Sequence, residues 1–132
     1  MSWNLDADRP IYSQLMDHIK RNICSKSYLP GSKIPSVREL ARDASVNPNT
    51  MQKALAKLEE EGLIYTNRTS GRFVTEDKQM IQEVKNTLAK EHIESFLENM
   101  TLLGFEDDET LDFIQKEMNL NKEEPNGKHS RV

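Results

Sequence analysis

Residues 36–75 read SVRELARDASVNPNTMQKALAKLEEEGLIYTNRTSGRFVT, and local chemistry marks almost every boundary in that stretch. Ser36 and Glu39 form an S-x-x-E pair, in which the hydroxyl accepts from the Glu39 N–H and the carboxylate reaches back to the Ser36 N–H. A short helix therefore starts at Ser36, and it ends near Ala44. Val37, Leu40 and Ala41 recur at i, i+3 and i+4, which sets one apolar stripe against a core and leaves Arg38, Arg42 and Asp43 outside. A second start follows at once. Asn47 can accept from the free N–H groups of the next turn, and Pro48 takes the first helical position, where its missing N–H costs nothing. In this second helix Met51, Ala54, Leu55 and Leu58 carry the apolar spacing, while Asn49, Thr50, Gln52, Lys53 and Lys57 face the other way. Gly62 supplies a residue past the end that tolerates a left-handed backbone.

After Gly62 the period changes from helical to alternating. Residues 63–66 (LIYT) and 73–75 (FVT) are mostly β-branched or aromatic, so they read as two short strands joined by a turn over Asn67 to Arg72. Gly71 can take a positive φ in that turn, and Arg68 and Arg72 bracket it with positive charge. Two helices separated by about three or four residues and followed by a hairpin make a winged helix-turn-helix. With basic or hydroxyl side chains at most of its exposed positions, the expected partner is double-stranded DNA.

Toward the amino terminus, Ile11, Leu15, Ile19 and Ile23 fall at spacings of four and Tyr12 and Met16 widen the stripe, which gives the three-helix core its first member. Asp8 or a neighbour is expected to cap that helix, with Pro10 in its first turn and an end near Tyr28, before the Leu29-Pro30-Gly31 break. Lys33 and Ile34 then lead through Pro35 as a possible short strand beside the wing. Trp3 and Leu5 are expected to cover part of the core or of a partner subunit.

Toward the carboxy terminus, Glu76 to Leu103 contains neither Gly nor Pro. Its apolar residues include Met80, Ile81, Val84, Leu88, Ile93, Phe96, Leu97 and Met100, which form one broad helical stripe. Gly104 stops this helix, and Asp107 or Asp108 can cap another that carries Leu111, Phe113, Ile114 and Met118, with Leu120 as a further candidate. Neither helix can bury its stripe alone. Pairing of two such hairpins across a two-fold axis is the economical solution, with Ile81, Val84, Leu88, Phe96, Met100, Leu111 and Ile114 at the dimer interface. The alternative is that both helices fold back on their own winged domain. The expected organisation is thus mainly α with a small β-hairpin: a winged domain over 1–75, a dimerisation hairpin over 76–120 and an unstructured tail over 121–132.

The net charge of -4 hides an asymmetry. Residues 1–75 hold 11 Lys and Arg against 8 Asp and Glu, a net of +3, and residues 76–132 hold 7 against 14, a net of -7. Charges beyond a Debye length of about 8–10 Å are screened, so the basic half can face phosphates while the acidic half points away. No apolar run approaches the ~20 residues that cross a bilayer. The amino-terminal MSWNLDADRP shows neither the charged nor the apolar region of a signal peptide, so a cytoplasmic protein with no membrane partner is expected. The single cysteine, Cys24, reads as a small half-buried hydrophobe. Enzyme chemistry finds little support, and no cofactor is expected. His18, His92 and His129 are scattered, no Gly-rich phosphate loop occurs, and the acidic run 106–109 reads as helix capping and solubilising charge rather than a metal site.

The stretch from Leu29 to Val74 strongly resembles the amino-terminal domain of GntR-type bacterial transcription regulators, and DRPIYSQLMDHIKRNI with the short helical carboxy-terminal part is similar to the YtrA subfamily. The resemblance covers residues from about 8 to 120. It implies a winged-helix domain with a two-helix dimerisation unit, and a homodimeric repressor of its own operon, often one encoding an ABC transporter. On the family pattern the S-x-R-E-L arginine is Arg38, with Ser36 near a phosphate. The polar run of the recognition helix is Asn47, Pro48, Asn49 and Thr50, the following basic position is Gln52, and the wing glycine is Gly71. Many relatives carry Arg where this chain has Pro48 and Gln52. Gln52 can bond an adenine edge, whereas Arg favours guanine. Ser45 stands where glycine is common, which the turn tolerates if the backbone there is not strongly left-handed. The expected interface has Arg38, Lys33, Lys53 and Arg72 on phosphates and Asn49, Thr50 and Gln52 on base edges of a palindromic operator, with Arg68 also facing DNA from the wing. A winged helix used for protein contact without DNA is the competing class. The 57 residues after the wing leave no room for a dedicated small-molecule pocket of about 300 Å³ within one subunit, so an effector site is expected only in a cleft between dimer helices, if anywhere.

Overall fold

The structure, a computed structural model, describes residues 3–122. Five helices and one antiparallel hairpin follow in the order α1 (Ile11–Cys24), α2 (Val37–Ala44), α3 (Pro48–Glu60), β1 (Ile64–Asn67), β2 (Gly71–Val74), α4 (Lys78–Leu102) and α5 (Asp107–Lys122). They divide into two compact units, residues up to Thr87 and residues from Leu88 onward.

The first unit is built as the apolar spacing dictates. Leu15, Ile19 and Ile23 of α1, Leu40 and Ala41 of α2, and Met51, Ala54, Leu55 and Leu58 of α3 are all buried in one core, which Ile64 and Val74 of the wing close. Both expected helix starts are present. Ser36 Oγ accepts from the Glu39 N–H at 3.2 Å while the Ser36 N–H donates to Glu39 Oε1 at 2.9 Å, and the Asn47 carboxamide accepts from the Asn49 N–H at 2.7 Å with Pro48 in the first turn. Gly62 follows α3 at φ +86°, which lets the Leu63 N–H reach back to the Leu58 carbonyl.

Several boundaries differ from the sequence-based expectation. Pro10 itself stands at the cap of α1, no side chain caps it, and the helix ends at Cys24 rather than near Tyr28. Asp8 bonds the carboxylate of Asp6 through its own N–H instead. In the wing only Arg68, Thr69 and Ser70 lie between the strands; Asn67 pairs with Gly71 and Thr66 with Arg72, so both Gly71 and Arg72 belong to β2 and not to the turn. The expected strand beside the wing is a single bridge, Lys33 with Phe73. Ser45, which closes α2, is left-handed (φ +58°, ψ +46°), so the condition on which serine sits there without cost is not met.

The leader is pinned by a buried amide. Gln14 donates from Nε2 to the Asp6 carbonyl and accepts from the Asp6 N–H, each at 2.6 Å. This holds Trp3 and Leu5 against the core of their own chain, with the Trp3 ring stacked 3.7 Å from that of the buried His18.

The first turns of α4 also belong to this unit. Ile81 is buried in the winged core, and Met80 and Val84 pack on it. Two residues expected at a dimer interface, Ile81 and Val84, are therefore used within the chain, and the winged unit extends to Thr87 rather than stopping at 75. Helical periodicity reveals an apolar face but not what covers it. A cavity of about 280 Å³ also opens in this unit, close to the size that the short carboxy-terminal part was expected to exclude. Residues after the wing supply less than half of its lining, and the rest comes from α1 and the loop behind it.

In the second unit, Leu88 is half-buried, Met100 and Thr110 are buried beside the Gly104 connection, and Phe105 stacks on Phe113 at 5.6 Å between centroids. The carboxylates at the start of α5 act from inside its first turn and not as caps: Asp107 is its first residue, and the Glu106 N–H donates to Glu109. Within this unit the other large apolar side chains stay exposed, among them Phe96, Leu97, Leu103 and Leu111, while Ile114 is half-buried. The tail expected to be unstructured lies, beyond Lys122, outside the described residues, as does His129.

Candidate nucleic-acid interface

The recognition face is built from three places that the core holds still. The first is the start of α2. The Ser36–Glu39 capping box occupies the Glu39 carboxylate, and the Ser36 N–H hydrogen bond holds that carboxyl below its ordinary pKa, so the acid stays in the cap. Ser36 accepts in this box, which leaves its own hydroxyl proton free to donate. Arg38, one residue inside the helix, is exposed and in no ion pair among the described residues.

The second place is the front of α3. Burial of Met51, Ala54, Leu55 and Leu58 turns Asn49, Gln52 and Lys53 outward, with Thr50 half-buried at the edge and Asn47 and Pro48 exposed at the cap. No acid stands in the first turn, so the positive end of the helix macrodipole is left uncompensated toward solvent. Lys53 is steadied from behind: its Nζ lies 4.1 Å from the centroid of the Tyr12 ring, a cation–π contact worth about 0.5–1 kcal/mol at an exposed site. Tyr12 read only as a widening of the core stripe; its role under Lys53 depends on α1 crossing α3, which no local pattern shows. Ala56 shares this exposed face, seven residues after Asn49, and keeps it low enough for a close approach.

The third place is the wing tip. Asn67 closes it as an Asx turn by accepting from both the N–H and the hydroxyl of Thr69 at 3.1 Å. Arg68, Thr69 and Ser70 are exposed there. Gly71 has φ +116°, a conformation that favours glycine, and the Lys33 stem crosses the wing there, with its Cε 3.0 Å from where a Cβ would stand. Neither Lys33 nor Arg68 is in an ion pair among the described residues.

Arg72 is placed differently. Its Nε lies 3.9 Å from Glu59 Oε1, an ion pair too long for a hydrogen bond, with the side chain four-fifths buried between wing and α3. Its sequence-based role on phosphate competes with this partner. The acidic run that ends α3 is spoken for in the same way. Glu59 faces Arg72, Glu60 faces Lys57 at 4.0 Å and Glu61 faces Lys20 at 3.4 Å. The acids of α3 therefore cluster at the end away from its cap, beside cations, and among the described residues Arg38, Lys53, Lys33 and Arg68 are in no ion pair. Among the described residues no group of three or more His, Cys, Asp or Glu could hold a metal ion, and no helix is long and apolar enough to cross a membrane.

Comparison with known proteins agrees with this geometry. The family model described as bacterial regulatory proteins, gntR family, matches residues 11–74, which run from α1 to β2 of the winged unit. The chain is 37% identical over 115 residues to YhcF, an uncharacterized HTH-type transcriptional regulator of Bacillus subtilis, across 87% of this chain and 95% of YhcF. It is 38% identical over 109 residues to the HTH-type transcriptional repressor YtrA of the same organism, across 81% of this chain and 83% of YtrA. A solved GntR family transcriptional regulator from Listeria monocytogenes superposes with a TM-score of 0.78 at 40% identity, covering 85% of this chain and 98% of that one. These matches extend through both units, so the chain belongs to the GntR family of bacterial regulatory proteins, as a YtrA-like, DNA-binding regulator of transcription rather than an enzyme.

Proposed function

We propose that the chain acts in the cytoplasm as a homodimeric repressor on a palindromic operator, with α3 of each subunit in successive major grooves about one helical turn apart. The observation that carries this reading is the division of ion pairs on the winged unit: each acid at the end of α3 has a cation beside it, while among the described residues Arg38, Lys53, Lys33 and Arg68 are in no ion pair. In this reading Arg38 and Lys53 neutralise phosphates and fix the register, Ser36 donates to one, Asn49 and Gln52 meet base edges, and Gly71 brings the wing tip close to a minor groove. Gln52 selects adenine over guanine at its position. Repression is supported by the similarity to the repressor YtrA, and the operator of the chain's own operon, one for an ABC transporter, is the target that the family resemblance supports.

The dimer is supported by the second unit. Nine of the eleven exposed large apolar side chains among the described residues lie between Ile93 and Leu120, and a second copy covers them most simply. Leu88, Phe96, Met100, Leu111 and Ile114 remain the proposed interface residues, without Ile81 and Val84.

Gel-shift titration of duplex DNA from the chain's own promoter tests the DNA face. Arg38→Ala is expected to weaken binding about tenfold or more and to lower the salt slope by about 1 per subunit, while Lys57→Ala, whose ammonium faces Glu60, leaves both nearly unchanged. Unaltered binding by Arg38→Ala would remove that residue from the interface.

A further inference from the structure

The cavity of about 280 Å³ lies on the winged unit between the end of α1, the loop after it and the start of α4. It shares no residue with the recognition face. Its apolar lining comes from Ile23, Leu29 and Ile81, and its charge comes from Lys26, Lys78 and Lys85, with no Asp or Glu in the wall. Lys78 and Lys85 are two helical turns apart and so project from one side of α4. Lys26 is held at φ +68°, a conformation that side-chain-bearing residues seldom adopt. None of the three is in an ion pair among the described residues. Three exposed lysines around an apolar hollow can hold the charged end of an anion, and a hollow of this size admits a ligand smaller than a drug.

We propose that this cavity binds a small organic anion with an apolar body, its charged end among Lys26, Lys78 and Lys85 and its apolar end on Ile23, Leu29 and Ile81. An alkyl phosphate and a short carboxylate share that chemistry. The phosphodiester backbone of DNA does not, because it has no apolar group to fill the floor. Occupation is communicated to the wing through the backbone. Leu29 and Pro30 run directly into Gly31, whose N–H donates to the Val74 carbonyl, while the Val74 N–H donates to Ser32 and the Ile34 N–H to Arg72, each at 2.9–3.0 Å. The loop that lines the cavity is thus sewn to β2 and carries Lys33. This consequence for operator affinity rests on the DNA-binding reading; the binding itself does not.

Cys24 makes the site testable, because it is the chain's one cysteine and it lines the cavity. Burial pushes its thiol pKa up, against the pull of Lys85 and Lys20, so its reaction with a neutral reagent is slow and sensitive to occupancy. The rate of N-ethylmaleimide modification of the full chain is measured with hexyl phosphate, hexanoate, hexanol or inorganic phosphate present. Hexyl phosphate or hexanoate is expected to slow the reaction about fivefold or more, saturably, and which of them does so first separates the phosphate from the carboxylate source. Hexanol and inorganic phosphate are expected to do little, and the double variant Lys78→Gln/Lys85→Gln to lose the protection ratio. The same ligand is expected to shift operator affinity about threefold or more. No protection by either anion up to about 10 mM, equal protection by hexanol, protection that survives the double variant, or protection by a short DNA duplex alone would each overturn the site. Thiol protection without any change in operator affinity would overturn its link to the wing. Because the thiol readout contains no DNA, failure of the cavity and failure of the DNA-binding reading give different results.

Discussion

The winged unit closes sixteen apolar side chains into one core, whereas the segment from Leu88 to Leu120 buries a single one, Met100, and leaves nine large ones in solvent. Both are helical and both are rich in apolar side chains, so helix formation alone does not make the difference. It lies in what each has to pack against. Three helices and a hairpin can surround a centre, but two consecutive helices with one short connection cannot. The first unit closes its core within one chain, and in the proposed dimer a second copy covers the apolar side chains that the second unit leaves exposed.

The largest expected effects set the two regions against each other. Leu55→Ala opens a void in a fully buried position of α3 and is expected to cost about 2–5 kcal/mol in chemical denaturation. The pair Phe96→Asp and Leu97→Asp is expected to leave the winged unit folded by circular dichroism and to halve the mass seen by light scattering, from twice 15.2 kDa to 15.2 kDa. If the aspartates unfolded the winged unit without changing the mass of the folded fraction, the division into a self-sufficient and a partner-dependent region would fail.

Smaller changes probe the frame that presents the recognition face. Ser36→Ala removes the acceptor of the capping box and is expected to cost about 1 kcal/mol. Ser45→Gly is expected to gain roughly 0.5 kcal/mol, since relief of the left-handed serine is partly offset by the greater freedom of glycine in the unfolded chain. A loss of stability in Ser45→Gly would contradict the assignment of strain to that turn.

These positions also mark how far local chemistry reaches. The Ser36–Glu39 box, the Asn47-Pro48 cap and the Gly62 stop were legible because each is complete within a few residues of chain. So was the buried side of α3, and by subtraction its exposed side. What escaped depends on contacts between distant residues. Ile81 and Val84 have the same periodicity as Phe96 and Leu97, and only the fold shows that the first pair packs on α1 to α3's core while the second stays open. Arg72 looked like a turn cation because the hairpin register, which places it opposite Thr66 and beside Glu59, is set across strands. The stacking of Trp3 on His18 joins residues fifteen apart through a leader with no regular structure.

That stack gives the smallest expected effect, a dependence on pH confined to the winged unit. Burial, helped by Arg21, lowers the pKa of His18 below its ordinary value near 6.5. The unfolded chain therefore takes up a proton before the folded one does. The stability that His18 contributes is fully present above about pH 6.5 and is lost as the pH falls through the depressed folded pKa. Melting temperature is expected to fall by a few degrees between about pH 7 and pH 5, with a shallower fall in His18→Gln. Identical slopes would show that other groups set the acid response.

The central claim, a dimer that presents two basic recognition faces to one operator, is tested most directly by titrating a labelled duplex from the chain's own promoter at a concentration well above the dissociation constant, at several salt concentrations. The expected result is a break at two chains per duplex, with log K falling against log salt with a slope of about -5 to -7, as three or four phosphates neutralised per subunit require. A break at one chain per duplex, or binding that does not weaken with salt, would contradict it.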